Sequence, residues 1–208
     1  MTYRQTVARE QTARMQGIES ASDALGRVVL DEVRAGERVL DMGTGSGRNA
    51  ILAATKGAEV VAVDIDPNAV EAARANAARH GVAERVTIRR SDLFEAVEGR
   101  FDLVVLDPPF RWVERRDCGE ASTIDEDYRS LTAFFARVRE HLVEDGRVLV
   151  HFGTTAAVGY LEQLVERNGM VGRVVARREL DKDGHRVEYL TYRIEVADLA
   201  IPGSVAGA

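Results

Sequence analysis

Short apolar runs recur along the chain, most of them closing on a polar residue. Glu37-Arg38-Val39-Leu40-Asp41 is the first, and Glu59-Val60-Val61-Ala62-Val63-Asp64 repeats its form. Arg85-Val86-Thr87-Ile88-Arg89-Arg90 alternates as a strand does. Phe101-Asp102-Leu103-Val104-Val105-Leu106-Asp107 and Gly146-Arg147-Val148-Leu149-Val150-His151-Phe152 are nearly continuous in Val and Leu. Such runs suit strands buried on both faces of a parallel sheet. Helical stretches lie between them. Asp66-Pro67-Asn68 opens one, with Asp66 as N-cap and Pro67 at the first helical position, and Gly81 closes it. Tyr128 to Glu144 predicts a second, with Leu131, Phe134, Phe135 and Val138 on one apolar face. Alternating strands and helices imply right-handed crossovers and helices on both sides of the sheet.

The end of the chain follows another pattern. Gly172 to Arg177 and Arg186 to Arg193 flank Asp181-Lys182-Asp183-Gly184, and Asp-Gly between two strand-like runs predicts a hairpin. The expected fold is therefore an α/β sheet that finishes with an antiparallel pair. Residues 1–35 hold two helical stretches that would cover the top of the sheet, as a lid; residues 36–196 form the core, and 197–208 a tail.

Composition narrows the class. With 208 residues, 45% hydrophobic and 30% charged, the chain suits one globular domain, and no apolar run approaches the roughly 18 residues of a membrane span. The start, Met1-Thr2-Tyr3-Arg4-Gln5-Thr6, lacks the apolar core of a signal peptide. The single cysteine, Cys118, can form neither an internal disulfide nor a cysteine metal cluster, and nothing in the sequence demands a metal. A cytoplasmic protein is expected. Its net charge of −6 lowers the case for a nucleic-acid partner without excluding a local basic patch. Arg4, Arg9 and Arg14, five apart, advance about 140° per step on a helix and make no basic stripe.

Ligands of open α/β sheets sit beyond the carboxyl ends of the strands. Those ends carry Asp41, Asp64, Asp92 and Asp107. After the first strand comes Asp41-Met42-Gly43-Thr44-Gly45-Ser46-Gly47-Arg48. A dinucleotide fingerprint would read G-x-G-x-x-G and seat a pyrophosphate. Here the pattern is G-x-G-x-G, Arg48 takes the sixth place, and the preceding carboxylate would repel a phosphate but suit a cationic group. Asp64, 23 positions beyond Asp41, can accept hydrogen bonds from two ribose hydroxyls, and Ile65 beside it can wall a purine. In Ser91-Asp92-Leu93, the carboxylate of Asp92 either receives an exocyclic amine or caps a helix. Asp107-Pro108-Pro109-Phe110 fixes the backbone and removes two donors. The Asp107 carboxylate and the Pro108 carbonyl become paired acceptors for a flat NH₂-bearing group, with Phe110 to stack on its plane.

On these residues the chain resembles the class I S-adenosylmethionine-dependent methyltransferases, over roughly residues 20–196. Asp41 to Gly47 resembles the family's first motif, Asp64 its ribose-binding acid, and Asp107-Pro108-Pro109-Phe110 its (Asp/Asn)-Pro-Pro-(Phe/Tyr) motif. The resemblance implies a Rossmann-like, seven-stranded mixed sheet of order 3-2-1-4-5-7-6 with an antiparallel last strand, in agreement with the hairpin. It implies S-adenosylmethionine as donor and S-adenosylhomocysteine as product. It places Asp41 and Gly43 at the methionine portion, Asp64 at the ribose, and Asp92 and Leu93 at the adenine, with Thr44, Gly45, Gly47 and Ile65 also bordering the cofactor. Asp107 borders both cofactor and acceptor, and Pro108, Pro109 and Phe110 hold the acceptor. The last motif is typical of enzymes that methylate planar nitrogens: nucleobase amines and glutamine amides.

The acceptor itself stays open between a small molecule, a nucleobase in RNA and a glutamine side chain. A different class, a cofactor-binding partner subunit that catalyses nothing, is disfavoured by the intact Asp107-Pro108-Pro109-Phe110. A nicotinamide dehydrogenase fails on the glycine pattern. The connection from Arg111 to about Asp125 is long for such a fold and points to function. Trp112 there either stacks on a ring or packs the loop, and Cys118 is read as incidental. Glu19-Ser20-Ala21-Ser22-Asp23 falls where related glutamine and nucleobase methyltransferases place a substrate-side motif, but Ser22 or Asp23 is read rather as a helix cap, and His151 as a core or loop histidine rather than a pocket one.

Overall fold

The computed structural model describes residues 21–108, 121–153, 158–182 and 185–197. Seven strands form one sheet: β1 (Arg38–Met42), β2 (Glu59–Asp64), β3 (Val86–Arg90), β4 (Phe101–Leu106), β5 (Leu142–Gly153), β6 (Met170–Lys182) and β7 (His185–Val196). Their order is β3-β2-β1-β4-β5-β7-β6. The first five run parallel, and β7 lies antiparallel between β5 and β6. The expected order and the antiparallel finish are both present. The helices are α1 (Ala21–Glu32), α2 (Arg48–Thr55), α3 (Pro67–Arg79), α4 (Ala121–Val138) and α5 (Val158–Arg167). None among the described residues is long and apolar enough to cross a membrane.

The near-continuous apolar strands are explained by two cores, one on each face. Adjacent strand residues point to opposite faces. Leu40, Met42, Val104, Val148 and Val150 therefore join Leu131, Phe134 and Phe135 of α4 and Leu161 and Leu164 of α5 in one cluster. Val39, Leu103, Val105 and Leu149 join Leu25 and Val29 of α1, Ala50 and Ala53 of α2, and Val70 and Ala73 of α3 in the other. The alanines keep α2 and α3 close to the sheet, which matters because these helices shape the loop after β1.

Local chemistry sets the element ends. Asp66 caps α3: its Oδ1 accepts from the Asn68 backbone N at 2.8 Å and from Asn68 Nδ2 at 2.9 Å. His80 occupies the C-cap, and Gly81 follows at φ +71°, where the chain turns out of the helix. Removing the cap by Asp66→Ala is expected to cost about 1 kcal/mol and lower the melting temperature by about 3 °C, readable by calorimetry.

Several boundaries differ from the expectation. The helix read over Tyr128 to Glu144 runs from Ala121 to Val138, followed by a 3₁₀ turn at Arg139–His141; Leu142, Val143 and Glu144 already belong to β5. Pairing with β4 overrides their helical spacing, since Phe101 is in register with Leu142. The hairpin strands also reach further than the sequence runs, because β6 and β7 continue to pair at both ends, from Met170 opposite Val196 to Lys182 opposite His185.

Of the N-terminal segment, α1 is described. Its Leu25 and Val29 are fully buried in the core, so this helix is a structural part of the sheet's cover. Its C-terminal end is tied to the sheet by Arg147, which is 4% exposed. The Arg147 guanidinium donates to the Glu32 carboxylate at 3.1 Å, to Glu37 at 3.0 and 3.1 Å, to the Asp102 carbonyl at 3.0 Å and to the Glu32 carbonyl. Arg193 of β7 reaches the same Glu32 carboxylate at 2.6 Å. The first expected helix and the tail beyond Ala197 lie outside the described residues.

Candidate active site

The strand register places the site residues on one line. Met42 pairs with Val63 on one side and with Leu106 on the other, and Asp64 pairs with Arg90. One step further, Asp64, Gly43 and Asp107 come level with Arg90 at the ends of β2, β1, β4 and β3, and Ser91 follows one residue beyond. Strands lie about 4.8 Å apart, so this row spans about 15 Å. The chain order reverses between β1 and β4, and the crevice at such a switch point is where open α/β sheets bind ligands.

The loop after β1 is built around two carboxylates. Asp41 is 1% exposed; its Oδ2 accepts from Thr44 Oγ1 at 2.6 Å and from the Ala50 N–H, in the first turn of α2, at 3.1 Å. Burial is the largest influence on this carboxyl and raises its pKa to about 6; the bonds from Thr44 and Ala50 oppose that shift and the charge of Asp64 adds to it. Asp64 organises the other side of the loop. Its Oδ2 accepts from the Gly45 N–H at 2.8 Å and its Oδ1 from the Asp66 N–H at 2.9 Å. The Val63 carbonyl receives both the Gly43 and the Thr44 N–H at 2.9 Å. Each carboxylate oxygen of Asp64 keeps further acceptor capacity for hydroxyls.

Gly47 is required twice over. Its φ is +83°, and a Cβ there would stand 3.0 Å from the Ala73 Cβ and 3.1 Å from its Cα. The loop thus lies directly against α3, and Asn76 Nδ2 holds the Ser46 carbonyl at 2.8 Å. At Gly43, φ is +70° and a Cβ would meet nothing within 4 Å. The backbone there borders open space at the centre of the row.

Beyond β2, Ile65 is 57% exposed, an apolar surface beside Asp64. Beyond β3, the expectation is corrected in one respect: no helix follows Asp92, so it caps none. The turn is held by Ser91, whose hydroxyl donates to the Leu93 carbonyl at 2.7 Å and accepts from the Ala96 N–H at 2.9 Å. Leu93 has φ +44°, the one positive value at a non-glycine residue among those described. Such a conformation costs on the order of 1 kcal/mol and persists where the surroundings enforce it. Asp92 stays exposed at the rim. Ser91, quoted in the sequence only as Asp92's neighbour, is thus the residue that shapes this corner.

Asp107 and Pro108 follow β4 and are half-buried. Pro109, Phe110, Trp112 and Cys118 lie outside the described residues. His151 is 1% exposed. Its Nδ1 bonds Thr191 Oγ1 at 2.9 Å, and its ring stacks on Tyr189 at 5.5 Å, in keeping with the core reading. Asp23 is not an isolated cap residue; it forms an ion pair with Arg48.

The arrangement fits S-adenosylmethionine. A buried carboxylate suits a cationic amino-acid end, the open backbone at Gly43 suits close approach, and Asp64 and Ile65 suit a ribose and a purine face. The chain is similar to known methyltransferases. A ribosomal protein uL3 glutamine methyltransferase from Bordetella pertussis is 39% identical over 146 residues, 69% of this chain and 46% of its own length. A ribosomal protein L11 methyltransferase from Pelotomaculum thermopropionicum is 54% identical over 80 residues, 38% of this chain and 26% of its own. The chain thus spans about a quarter to a half of these relatives. The crystal structure of ribosomal protein L11 methylase from Lactobacillus delbrueckii subsp. bulgaricus shares the fold, with a TM-score of 0.60 and 24% identity over 83% of this chain and 77% of that one. The methyltransferase small domain family matches residues 15–179, and the chain belongs to that family, with the fold of the class I S-adenosylmethionine-dependent methyltransferases.

Proposed function

We propose that this chain transfers a methyl group from S-adenosylmethionine to a planar amide or amine nitrogen, and that a glutamine side chain of a ribosomal protein is the first acceptor to test. The observation that carries this reading is the position of Asp107, level with Gly43 at the switch point of the sheet, with Pro108 one residue beyond. The uL3 glutamine methyltransferase supports the choice of acceptor, since it matches across 69% of the chain.

When bound, the cofactor supplies an electrophilic methyl on its sulfonium. The chain's own part is positioning, which accounts for most of the acceleration of an in-line displacement. Asp41, Gly43 and Thr44 hold the amino-acid end, Asp64 the ribose hydroxyls, and Ile65 and Leu93 the adenine. Asp107 and the Pro108 carbonyl accept hydrogen bonds from the acceptor NH₂. An amide or aromatic amine nitrogen is a poor nucleophile because its lone pair is delocalised. Two acceptors on its hydrogens favour a more tetrahedral nitrogen and offset the positive charge that grows on it.

Two measurements test the reading. Incubation with methyl-labelled S-adenosylmethionine and unmethylated large-subunit ribosomal proteins is expected to label glutamine. Label entering nucleosides instead would move the acceptor to a nucleobase, and no label in either would overturn the proposal. Calorimetry with S-adenosylhomocysteine is expected to show micromolar binding that weakens at least thirtyfold in Asp64→Ala. That variant loses the ribose contacts and the anchor of the Gly45 N–H together, each a charge-assisted bond of about 1.5–3 kcal/mol. Unchanged affinity would remove Asp64 from the site.

A further inference from the structure

The geometry points to Asp23 and Arg48 as positioning residues that set the cofactor loop from the N-terminal helix. This inference rests on the cofactor reading above. Arg48 is the first residue of α2, directly after Gly47, and its guanidinium pairs with the Asp23 carboxylate in the first turn of α1; the side chains are 29% and 18% exposed.

Three features make this pair more than a surface contact. The first is close packing. A Cβ on Gly26 would stand 2.8 Å from the Leu52 Cδ1 and 3.3 Å from the Arg48 Nε, so glycine lets α1 lie directly on the first two turns of α2. The second is rigidity. The far end of α1 is fixed by Arg147 and Arg193 on Glu32, so a force at Asp23 is not absorbed by helix movement. The third is where α2 leads. Its Ala50 N–H donates to Asp41 Oδ2, and Gly47, the residue before it, closes the turn onto the Thr44 carbonyl at 2.9 Å. A shift of the first turn of α2 therefore moves Asp41 and the glycine loop together. The ion pair fixes that turn against a helix locked to β5 and β7.

Asp23 and Arg48 touch no cofactor atom in this account; they act through Ala50 and the loop on the group that receives the amino-acid end. The effect is thus specific to one part of the ligand. Titration calorimetry on the full chain would compare S-adenosylhomocysteine with 5′-methylthioadenosine, which keeps the nucleoside and thioether but lacks the amino acid. Wild type, Asp23→Asn, Arg48→Met, the double variant and the charge-reversed pair (Asp23→Arg with Arg48→Asp) would be measured well below each variant's melting temperature.

Each single variant is expected to weaken S-adenosylhomocysteine about fivefold and methylthioadenosine less than twofold, the double variant to be no weaker than the singles, and the reversed pair to recover to within about twofold. Equal losses on both ligands would show general loosening and overturn the proposal, as would single variants that bind like wild type or a multiplicative loss of about 25-fold in the double. Wild type binding neither ligand would instead overturn the cofactor reading itself.

Discussion

Replacing Asp107 by alanine is expected to slow methyl transfer by about 10²–10³-fold while leaving the affinity for S-adenosylhomocysteine within about threefold. The separation follows from position. Asp107 stands one step beyond the Met42–Leu106 pair, on the β4 side of the row, whereas the amino-acid and nucleoside contacts lie on β1, β2 and β3. Its carboxylate is an acceptor placed where the nitrogen's positive charge develops, so its loss raises the barrier more than it weakens binding of the donor. Asp107→Asn keeps one acceptor oxygen and is expected to fall between alanine and wild type. Single-turnover transfer, compared with calorimetry on the same preparations, reads both halves. Full activity in Asp107→Ala would strip the residue of its role, and loss of cofactor affinity equal to the loss of rate would make it a donor-site residue instead.

The second large effect is a pH dependence carried by Asp41. Its carboxyl is raised to about 6 by burial, and the groups that face it are the Thr44 hydroxyl, the Ala50 N–H and the charge of Asp64. A cofactor's ammonium favours the ionised form, so binding releases a proton below this value. Affinity for S-adenosylhomocysteine is expected to hold above about pH 7 and to fall towards tenfold per pH unit below pH 6. Stability of the ligand-free protein runs the other way. The folded value lies above the unfolded value of 3.8, so the burial penalty on the ionised group is present above about pH 6 and is relieved as pH falls towards 3.8. Asp41→Asn should bind at least tenfold more weakly at pH 7.5 and lose the pH dependence. Calorimetry from pH 5 to 8, in two buffers of different ionisation enthalpy, measures affinity and proton release together. A flat profile in the wild type would mean that the ammonium is held elsewhere.

The strands of this fold were legible because burial on both faces leaves few polar positions, and Val39 to Leu40 or Val104 to Val105 shows no gap. The hairpin was legible from Asp183-Gly184. The helices α2 and α5 were not read from the sequence. In α2 the run Ala50-Ile51-Leu52-Ala53-Ala54 is apolar all round, so it has no period to see. In α5 the apolar set Val158, Leu161, Leu164 and Val165 is spaced for a helix but is only ten residues long. The end of α4 was misjudged because pairing with Phe101 decided the fate of Leu142.

At the site, Asp41, Asp64 and the glycines were visible as residue types at strand ends. Ser91 was not, since its work is two bonds to its own turn. Nor was the Asp23–Arg48 pair visible, because it joins positions 25 apart through a glycine-sized gap between helices that only the packing shows.

The anchoring of α1 has a consequence for how the molecule comes apart. Glu32 is 115 positions from Arg147 and 161 from Arg193, yet all three share one half-buried set of ionic bonds. Removing either arginine's strand would take one of the two cations from the Glu32 carboxylate, and removing α1 would leave the Arg147 guanidinium with Glu37 and the Asp102 carbonyl. Helix α1 and strand β7 are thus coupled through Glu32 and are expected to open together rather than fray separately, and a chain still being synthesised cannot complete this corner of the fold until β7 has been made.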